Sequence, residues 1–317
     1  MNSVAPSLDF PRPDFARCGR RAVGHFKNRA GLERFVAAYG DAFALLPPVQ
    51  ERLDLDISFG RVRCYRFGAG SAAPLLLLAG RNASTPMWGV NLPSLLKTRT
   101  VYCMDSLGEA GASTQTQPLT SPDDQAEWVA EALGELGAGP VHLVGSSLGG
   151  WLDVHVAIHH PESLLSVTVL DPPATFARLS AGFIAGGLIS AIAATPEWLR
   201  RRLLAWITGA TPSRSDGPEA RLAMAALRGF RVRQPVPAMP SMDQLGGLGV
   251  PVLALFGGRS RVHDPRAAAT RAAALPTATV ELWPDASHVL NGEFPQRLAE
   301  RLDAFLTTVE SSPRGRR

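Results

Sequence analysis

A short apolar run, Val141-His142-Leu143-Val144, leads straight into Gly145-Ser146-Ser147-Leu148-Gly149, and an amphipathic stretch with Trp151, Val154, Val156 and Ala157 follows. No other feature constrains the fold as much. The pattern predicts a strand that turns into a helix within a few residues and lifts a serine clear of a sheet. Glycine suits positions 145 and 149, where a side chain would collide with neighbouring strand or helix backbone. Ser147 is expected near strained backbone angles. Its Oγ then lies at the mouth of a helix whose N-terminal N–H groups favour developing negative charge. Glycine and serine are common, and the plain alternative is an ordinary glycine-rich turn. The strand before and the helix after give the motif its meaning, and Ser147 becomes the candidate nucleophile.

The rest of the chain alternates. Residues 1–50 read as a leader with one helix over 31–46, where Leu32, Phe35, Val36, Tyr39, Phe43 and Leu46 fall at helical spacing and Pro47-Pro48 stops it. Strands are predicted over 53–57 and 62–67, around a Phe59-Gly60 turn, and then over 74–79, 100–105, 141–144 and 166–171. Helices are predicted over 88–96 and 123–136, and after the serine turn. Such alternation argues for an α/β fold with a mostly parallel, doubly wound sheet. It breaks over 172–247, an apolar helical stretch with helices at 197–208 and 219–230. Pro172-Pro173 opens that stretch and the proline-rich 235–240 closes it, so it reads as an inserted helical cap. The sheet resumes with a strand over 250–256, a helix over 265–274, a strand over 278–283 and a helix over 293–306. The core is thus 51–171 together with 248–308, and 309–317 is expected to be a disordered basic tail.

With 317 residues, 45% of them apolar and 19% charged, the chain can bury a large core. The net charge of +4 gathers at the ends, in Arg12, Arg17, Arg20, Arg21, Lys27, Arg29 and Arg34 and in Arg314-Gly315-Arg316-Arg317. These read as solvated ends and not as a nucleic-acid platform. Cys18, Cys64 and Cys103 are an odd number without close spacing, and the last two lie in strand-like runs. They fit small buried side chains in a reducing compartment better than a disulfide framework or zinc site. Residues 1–13 lack the apolar core of a signal peptide. The most apolar stretch, 181–194, is too short to span a bilayer. The expectation is a cytoplasmic protein without a membrane span.

The layout resembles the α/β-hydrolase fold family over about residues 50–308, and four places carry the likeness. The first is the turn around Ser147. The second is Ala79-Gly80-Arg81-Asn82-Ala83-Ser84-Thr85-Pro86-Met87-Trp88, similar to the family's His-Gly-x oxyanion loop with Ala79 in place of histidine. The third is Tyr102-Cys103-Met104-Asp105-Ser106-Leu107-Gly108, similar to an Asp-x-x-Gly that often follows the fourth strand. The fourth is Pro284-Asp285-Ala286-Ser287-His288, similar to the turn that delivers the catalytic histidine. The resemblance implies an α/β-hydrolase sheet of about eight strands with the cap inserted after the sixth.

Chemistry requires these pieces to converge. A serine hydroxyl needs a base within hydrogen-bond reach, and the base needs a group that fixes its tautomer and supports its charge. Of seven histidines, His288 follows the last strand in a short turn that returns it to the edge where Ser147 sits. His142 lies within a strand, His25 in the leader, and His155, His159 and His160 on the helix behind the serine. The family usually places its acid three residues after the glycine that ends the seventh strand. Gly257-Gly258-Arg259-Ser260 puts Ser260 there, and serine carries no charge. Asp171, at the end of the preceding strand, is the first candidate to replace it. Asp264 is the alternative, although with Pro265 beside it it also reads as a helix N-cap. A site without any acid stays open.

The resemblance implies an oxyanion hole from the backbone N–H groups of Leu148 and Arg81. No metal-ligand spacing and no phosphate loop is present, so no cofactor is expected. Phe183, Leu188, Ile189, Trp198, Leu203, Leu204 and Trp206 suggest an apolar acyl or aromatic pocket under the cap, with much of the set packing the cap onto the sheet instead. Together these imply a cofactor-independent serine hydrolase that acts on a small-molecule ester, thioester or related acyl compound. An acyltransferase, a haloperoxidase, a carbon–carbon hydrolase and a non-catalytic ligand-binding module are the alternatives.

Overall fold

The computed structural model of the chain describes residues 10, 22–192, 195–209 and 217–312. Cys18, the basic residues at 12, 17, 20 and 21, and the tail from 313 lie outside the described residues.

The described chain begins with β1 (His25–Phe26) and α1 (Arg29–Phe43), then β2 (Val49–Ile57) and β3 (Gly60–Phe67). β4 (Ala72–Leu78) leads to a 3-10 turn at Thr85–Trp88, α2 (Leu92–Leu95), β5 (Arg99–Met104) and β6 (Thr114–Gln115). The alternation continues through α3 (Pro122–Leu136), β7 (Val141–Ser146), α4 (Leu148–His159) and β8 (Leu164–Leu170). Three helices follow, α5 (Ala181–Ala191), α6 (Glu197–Thr208) and α7 (Pro218–Gly229), with β9 (Phe230–Arg231) directly after them. α8 (Met242–Gly246), β10 (Val252–Gly257), α9 (Pro265–Ala273), β11 (Ala278–Trp283), α10 (Leu290–Glu293) and α11 (Pro295–Ser311) complete it.

The main sheet has nine strands in the order β11-β10-β8-β7-β4-β5-β3-β2, with β6 paired to β3. From β11 to β5 the strands run parallel, whereas β3 is antiparallel to β5 and both β2 and β6 are antiparallel to β3. β6 is the strand beyond the expected eight. Two residues carry no periodicity, so β6 is illegible in the sequence, and so is the β1–β9 pair, which forms a separate two-stranded sheet. The expected helix over 88–96 is instead a 3-10 turn and a four-residue helix, each with a proline in its first turn. The last helix runs on to Ser311, into the stretch read as tail, because Leu302, Phe305, Leu306 and Val309 continue its buried stripe.

Strand side chains alternate between two cores, as a period of two requires. Leu76 and Leu78 of β4 and Val252, Ala254 and Phe256 of β10 pack against α3, α4 and α9 on one face. Leu75, Leu77, Leu253 and Leu255 pack against α1 and α11 on the other. Local signals set the element ends. α3 opens with a Ser121–Asp124 capping box and Pro122, and Gly137 closes it at φ 62°. The leader is tied to the helical segment: β1 pairs with β9, and α1 meets α7 where Gly31 and Gly229 bring the two backbones together. That segment packs into the main core at both ends, through Phe176 at its start and Leu245 of α8 at its close.

Candidate active site

The parallel strands deliver the candidate groups to their C-terminal edge, where a doubly wound sheet places its ligands. Gly80 and Arg81 follow β4, Ser147 follows β7, Asp171 follows β8, Ser260 and His263 follow β10, and His288 follows β11. Strand register aligns these ends: Leu78 faces Gly145, Ser146 faces Leu170, and Leu170 faces Leu255.

Ser147 has φ 53° and ψ −119°, a conformation that non-glycine residues rarely adopt. The turn around it is crowded. A Cβ at Gly145 would overlap the backbone of Gly149 and Gly150, and one at Gly149 would overlap the carbonyl of Leu78. The Ser147 N–H is held by the Leu170 carbonyl at 2.8 Å, which ties the turn to β8.

His288 Nε2 lies 2.9 Å from Ser147 Oγ, and His288 Nδ1 lies 2.5 Å from Asp171 Oδ2. Asp171 is fully buried and left-handed at φ 49°. Its Oδ2 also accepts from Ser260 Oγ at 2.7 Å, and its Oδ1 accepts from the Gly257 N–H at 3.1 Å. A second imidazole faces it, with His263 Nε2 3.5 Å from Oδ1. Burial pushes the Asp171 carboxyl up, but the facing His263 and His288 rings more than offset this and hold it well below the usual carboxylate range. Asp264 is elsewhere. It is exposed, and its Oδ1 accepts from the N–H groups of Arg266 and Ala267 at the start of α9. The structure therefore brings Asp171 to His288 and leaves Asp264 as a helix cap.

Gly80 lets the β4 loop close onto the serine, since even a Cβ there would lie 3.1 Å from the Cβ of Ser147. Arg81 comes next. Leu148 is the first residue of α4, where a backbone N–H has no intrahelical acceptor. The loop is shaped by Asn82 at φ 58° and by a bond from the Ala83 N–H to the Gly80 carbonyl at 3.1 Å. Glu109 holds it from behind. This buried carboxylate accepts the Asn82 N–H at 3.2 Å and pairs with Arg81 Nε at 3.6 Å. Burial pushes the Glu109 carboxyl up, opposed by Arg81 and the Asn82 N–H. The Arg81 side chain is thus engaged by Glu109.

Residues 75–301 match the family model described as the alpha/beta hydrolase family. The chain belongs to that family. Two carboxylesterases of Bacillus subtilis (strain 168) are similar to this hydrolase over most of both lengths. The uncharacterized carboxylesterase nap is 26% identical over 86% of this chain and 92% of its own. Carboxylesterase YbfK is 27% identical over 86% and 93%. The crystal structure of naproxen esterase from Bacillus subtilis superposes with a TM-score of 0.81 at 25% identity, over 88% of this chain and 99% of that one.

Two residues of the hydrolase site, His263 and Glu109, escaped sequence reasoning, and so did the partners of Asp105. His263 carries no local signal that sets it apart among the histidines. It is buried in the loop before α9 with its ring edge-on to Phe256, and only the β8–β10 pairing puts it beside Asp171. Glu109 sits in a loop with no periodic signal. Asp105 carries the Asp-x-x-Gly likeness, but its work lies in its partners: it accepts from the Thr85 N–H and hydroxyl, the Ala112 N–H and the Tyr39 hydroxyl, at 2.8–3.0 Å. It thereby ties the loop after β4 to α1. Among the described residues, no group of three His, Cys, Asp or Glu side chains could hold a metal ion. No helix among them is long and apolar enough to cross a membrane. The apolar pocket expected under the cap needs correction. Leu188 and Trp198 are each 67% exposed, and Ile189 and Trp206 are also exposed, which an enclosed pocket does not allow.

Proposed function

We propose that the protein is a serine carboxylic ester hydrolase, cofactor-independent and acting on a small-molecule acyl substrate. The observation that carries this reading is the unbroken hydrogen-bonded chain Ser147 Oγ–His288–Asp171 at the C-terminal sheet edge. The similar carboxylesterases, aligned over most of their lengths, support an ester as the substrate class.

In this reading Ser147 Oγ attacks the ester carbonyl carbon while His288 Nε2 takes its proton. Asp171 keeps Nδ1 protonated and supports the imidazolium. The carbonyl oxygen, now an oxyanion, accepts from the N–H groups of Leu148 and Arg81. The intermediate collapses, the carbon–oxygen bond to the alcohol breaks, and His288 returns the proton to the leaving oxygen. Water then attacks the acyl-enzyme, giving a proton to His288 that finally returns to Ser147 as the acid departs. The buried, unbridged thiols of Cys64 and Cys103 support a cytoplasmic setting. The noncatalytic alternative is disfavoured by a nucleophile, base and acid within hydrogen-bond distance of one another.

Labelling with a fluorophosphonate probe tests the assignment, together with hydrolysis of p-nitrophenyl esters of increasing chain length. Ser147→Ala abolishes labelling and turnover, and Ser146→Ala keeps both. A Ser147→Ala protein that still labels and turns over ends the proposal.

A further inference from the structure

The carboxylate that faces His288 has a second imidazole beside it. Asp171 Oδ2 accepts from His288 and from the Ser260 hydroxyl, and Oδ1 accepts from the Gly257 N–H. A carboxylate offers about four acceptor sites, so one is left on Oδ1. His263 Nε2 lies 3.5 Å from that oxygen, at the outer edge of hydrogen-bond reach. Both residues are buried, and among the described residues neither ring nitrogen of His263 has a hydrogen-bond partner.

Packing alone gives no reason for histidine at 263. The ring lies edge-on to Phe256, a contact that a phenyl ring makes as well without a polar nitrogen to desolvate. The carboxylate does give a reason. An ionised carboxylate only accepts, so a hydrogen on Nε2 completes its set of donors. With donors on Oδ1 from both Gly257 and His263, the carboxylate cannot turn about its Cβ–Cγ bond, and Oδ2 stays on His288 while that ring gains and loses a proton. The loop that carries His263 is fixed to the start of the cap. The Ser180 N–H donates to the Val262 carbonyl at 2.8 Å, the Ser180 hydroxyl donates to the Arg261 carbonyl at 2.5 Å, and Leu179 forms an antiparallel bridge with His263. Such support holds the ring in its aim at Oδ1. Hydrogen bonds of this kind are often long in a free enzyme and tighten in the reacting complex.

We infer that His263 is a positioning residue of the esterase, whose Nε2–H donates to Asp171 Oδ1 and locks the carboxylate onto His288. The effect on rate rests on the esterase reading. The bond itself does not, because it is read without turnover.

The test compares the parent with His263→Gln, which keeps an N–H where Nε2 stands, and with His263→Phe, which keeps a ring and removes the N–H. With p-nitrophenyl acetate, His263→Phe loses about tenfold or more in kcat with KM changed little, and His263→Gln keeps most of the rate, within about threefold of the parent. A packing role gives the opposite order, since phenylalanine is the better filler. His263→Phe with the parent's kcat overturns the inference, and so does His263→Gln as slow as a folded His263→Phe. Nitrogen NMR of the histidine-labelled parent needs no phenylalanine variant to fold. The His263 signals, assigned by their absence from His263→Gln, show the hydrogen on Nε2. A ring with its hydrogen on Nδ1 alone overturns the inference whatever the turnover. A parent that hydrolyses no ester ends the esterase reading, and the nitrogen spectrum then decides the bond by itself.

Discussion

Asp171→Asn is the sharpest perturbation of the proposed triad, because the structure leaves the new amide no good orientation. Asp171 Oδ2 receives His288 Nδ1 at 2.5 Å and Ser260 Oγ at 2.7 Å, and Oδ1 receives the Gly257 N–H at 3.1 Å. If the new amide nitrogen takes the Oδ2 position, it faces Nδ1 as a donor. The imidazole must then carry its proton on Nε2, the atom 2.9 Å from Ser147 Oγ, and cannot take the serine proton. If the amide is turned over, two N–H donors oppose each other at Gly257, at a cost of about 1–3 kcal/mol. In either case the charge that supports the imidazolium is gone. The expected loss in kcat is about 10³–10⁴, equivalent to ~4–5.5 kcal/mol of transition-state stabilisation. Stability also falls, by about 1–3 kcal/mol, since a buried and fully bonded carboxylate is removed. Steady-state hydrolysis of p-nitrophenyl acetate, with melting temperatures for each protein, checks both numbers. Asp264→Asn is the control. Asparagine is itself a good N-cap, so its turnover stays within about twofold of the parent and its stability within a few tenths of a kcal/mol. An Asp171→Asn protein that keeps a tenth of its turnover, or an Asp264→Asn protein that loses as much as Asp171→Asn, refutes the reasoning.

Other outcomes follow from groups around this centre. Glu109→Gln removes the charge that holds Arg81 but keeps an acceptor for the Asn82 N–H; kcat falls by about tenfold with KM changed little, the mark of a loop that acts on the oxyanion. A loss confined to KM would instead place Glu109 in substrate binding. Asp153 is fully buried on α4 with neither oxygen hydrogen-bonded, and burial raises its carboxyl well above the usual range. A raised acid contributes its stability below its unfolded value near 4 and loses it as pH climbs above that. Asp153→Asn therefore raises the melting temperature at pH 7 by at least about 2 °C, with the gain vanishing toward pH 4; equal gains at both pH values would contradict a neutral buried acid. Asp171 has the opposite sign. Its depressed carboxyl contributes stability above its unfolded value near 4 and loses it as pH falls further, so the melting-temperature gap between the parent and Asp171→Asn narrows below about pH 4.

What the sequence determined by itself was local. A strand running into Gly145-Ser146-Ser147-Leu148-Gly149 constrains its own backbone, because glycine at 145 and 149 is required by contacts within the turn and with the neighbouring strand end. Short apolar runs place β4, β7 and β10, the period of 3.6 places the longer helices between them, and strand–helix alternation implies the parallel sheet. His288 was legible because its position after the last strand already sends it to the right edge. The sequence ranked Asp171 ahead of Asp264 without deciding between them. Both are carboxylates near strand or helix ends, and only the pairing of β8 with β10, which sets Leu170 opposite Leu255, brings Asp171 under His288 together with Ser260 and His263. Glu109 reaches Arg81 and Asn82 across a separation of 27 and more residues, and no local pattern encodes that distance. The outward face of α5 was hidden for the same reason. Leu188 looks like a core residue in any sequence window, and what exposes it is that Gly182 and Gly186 let α6 take the inner side of α5.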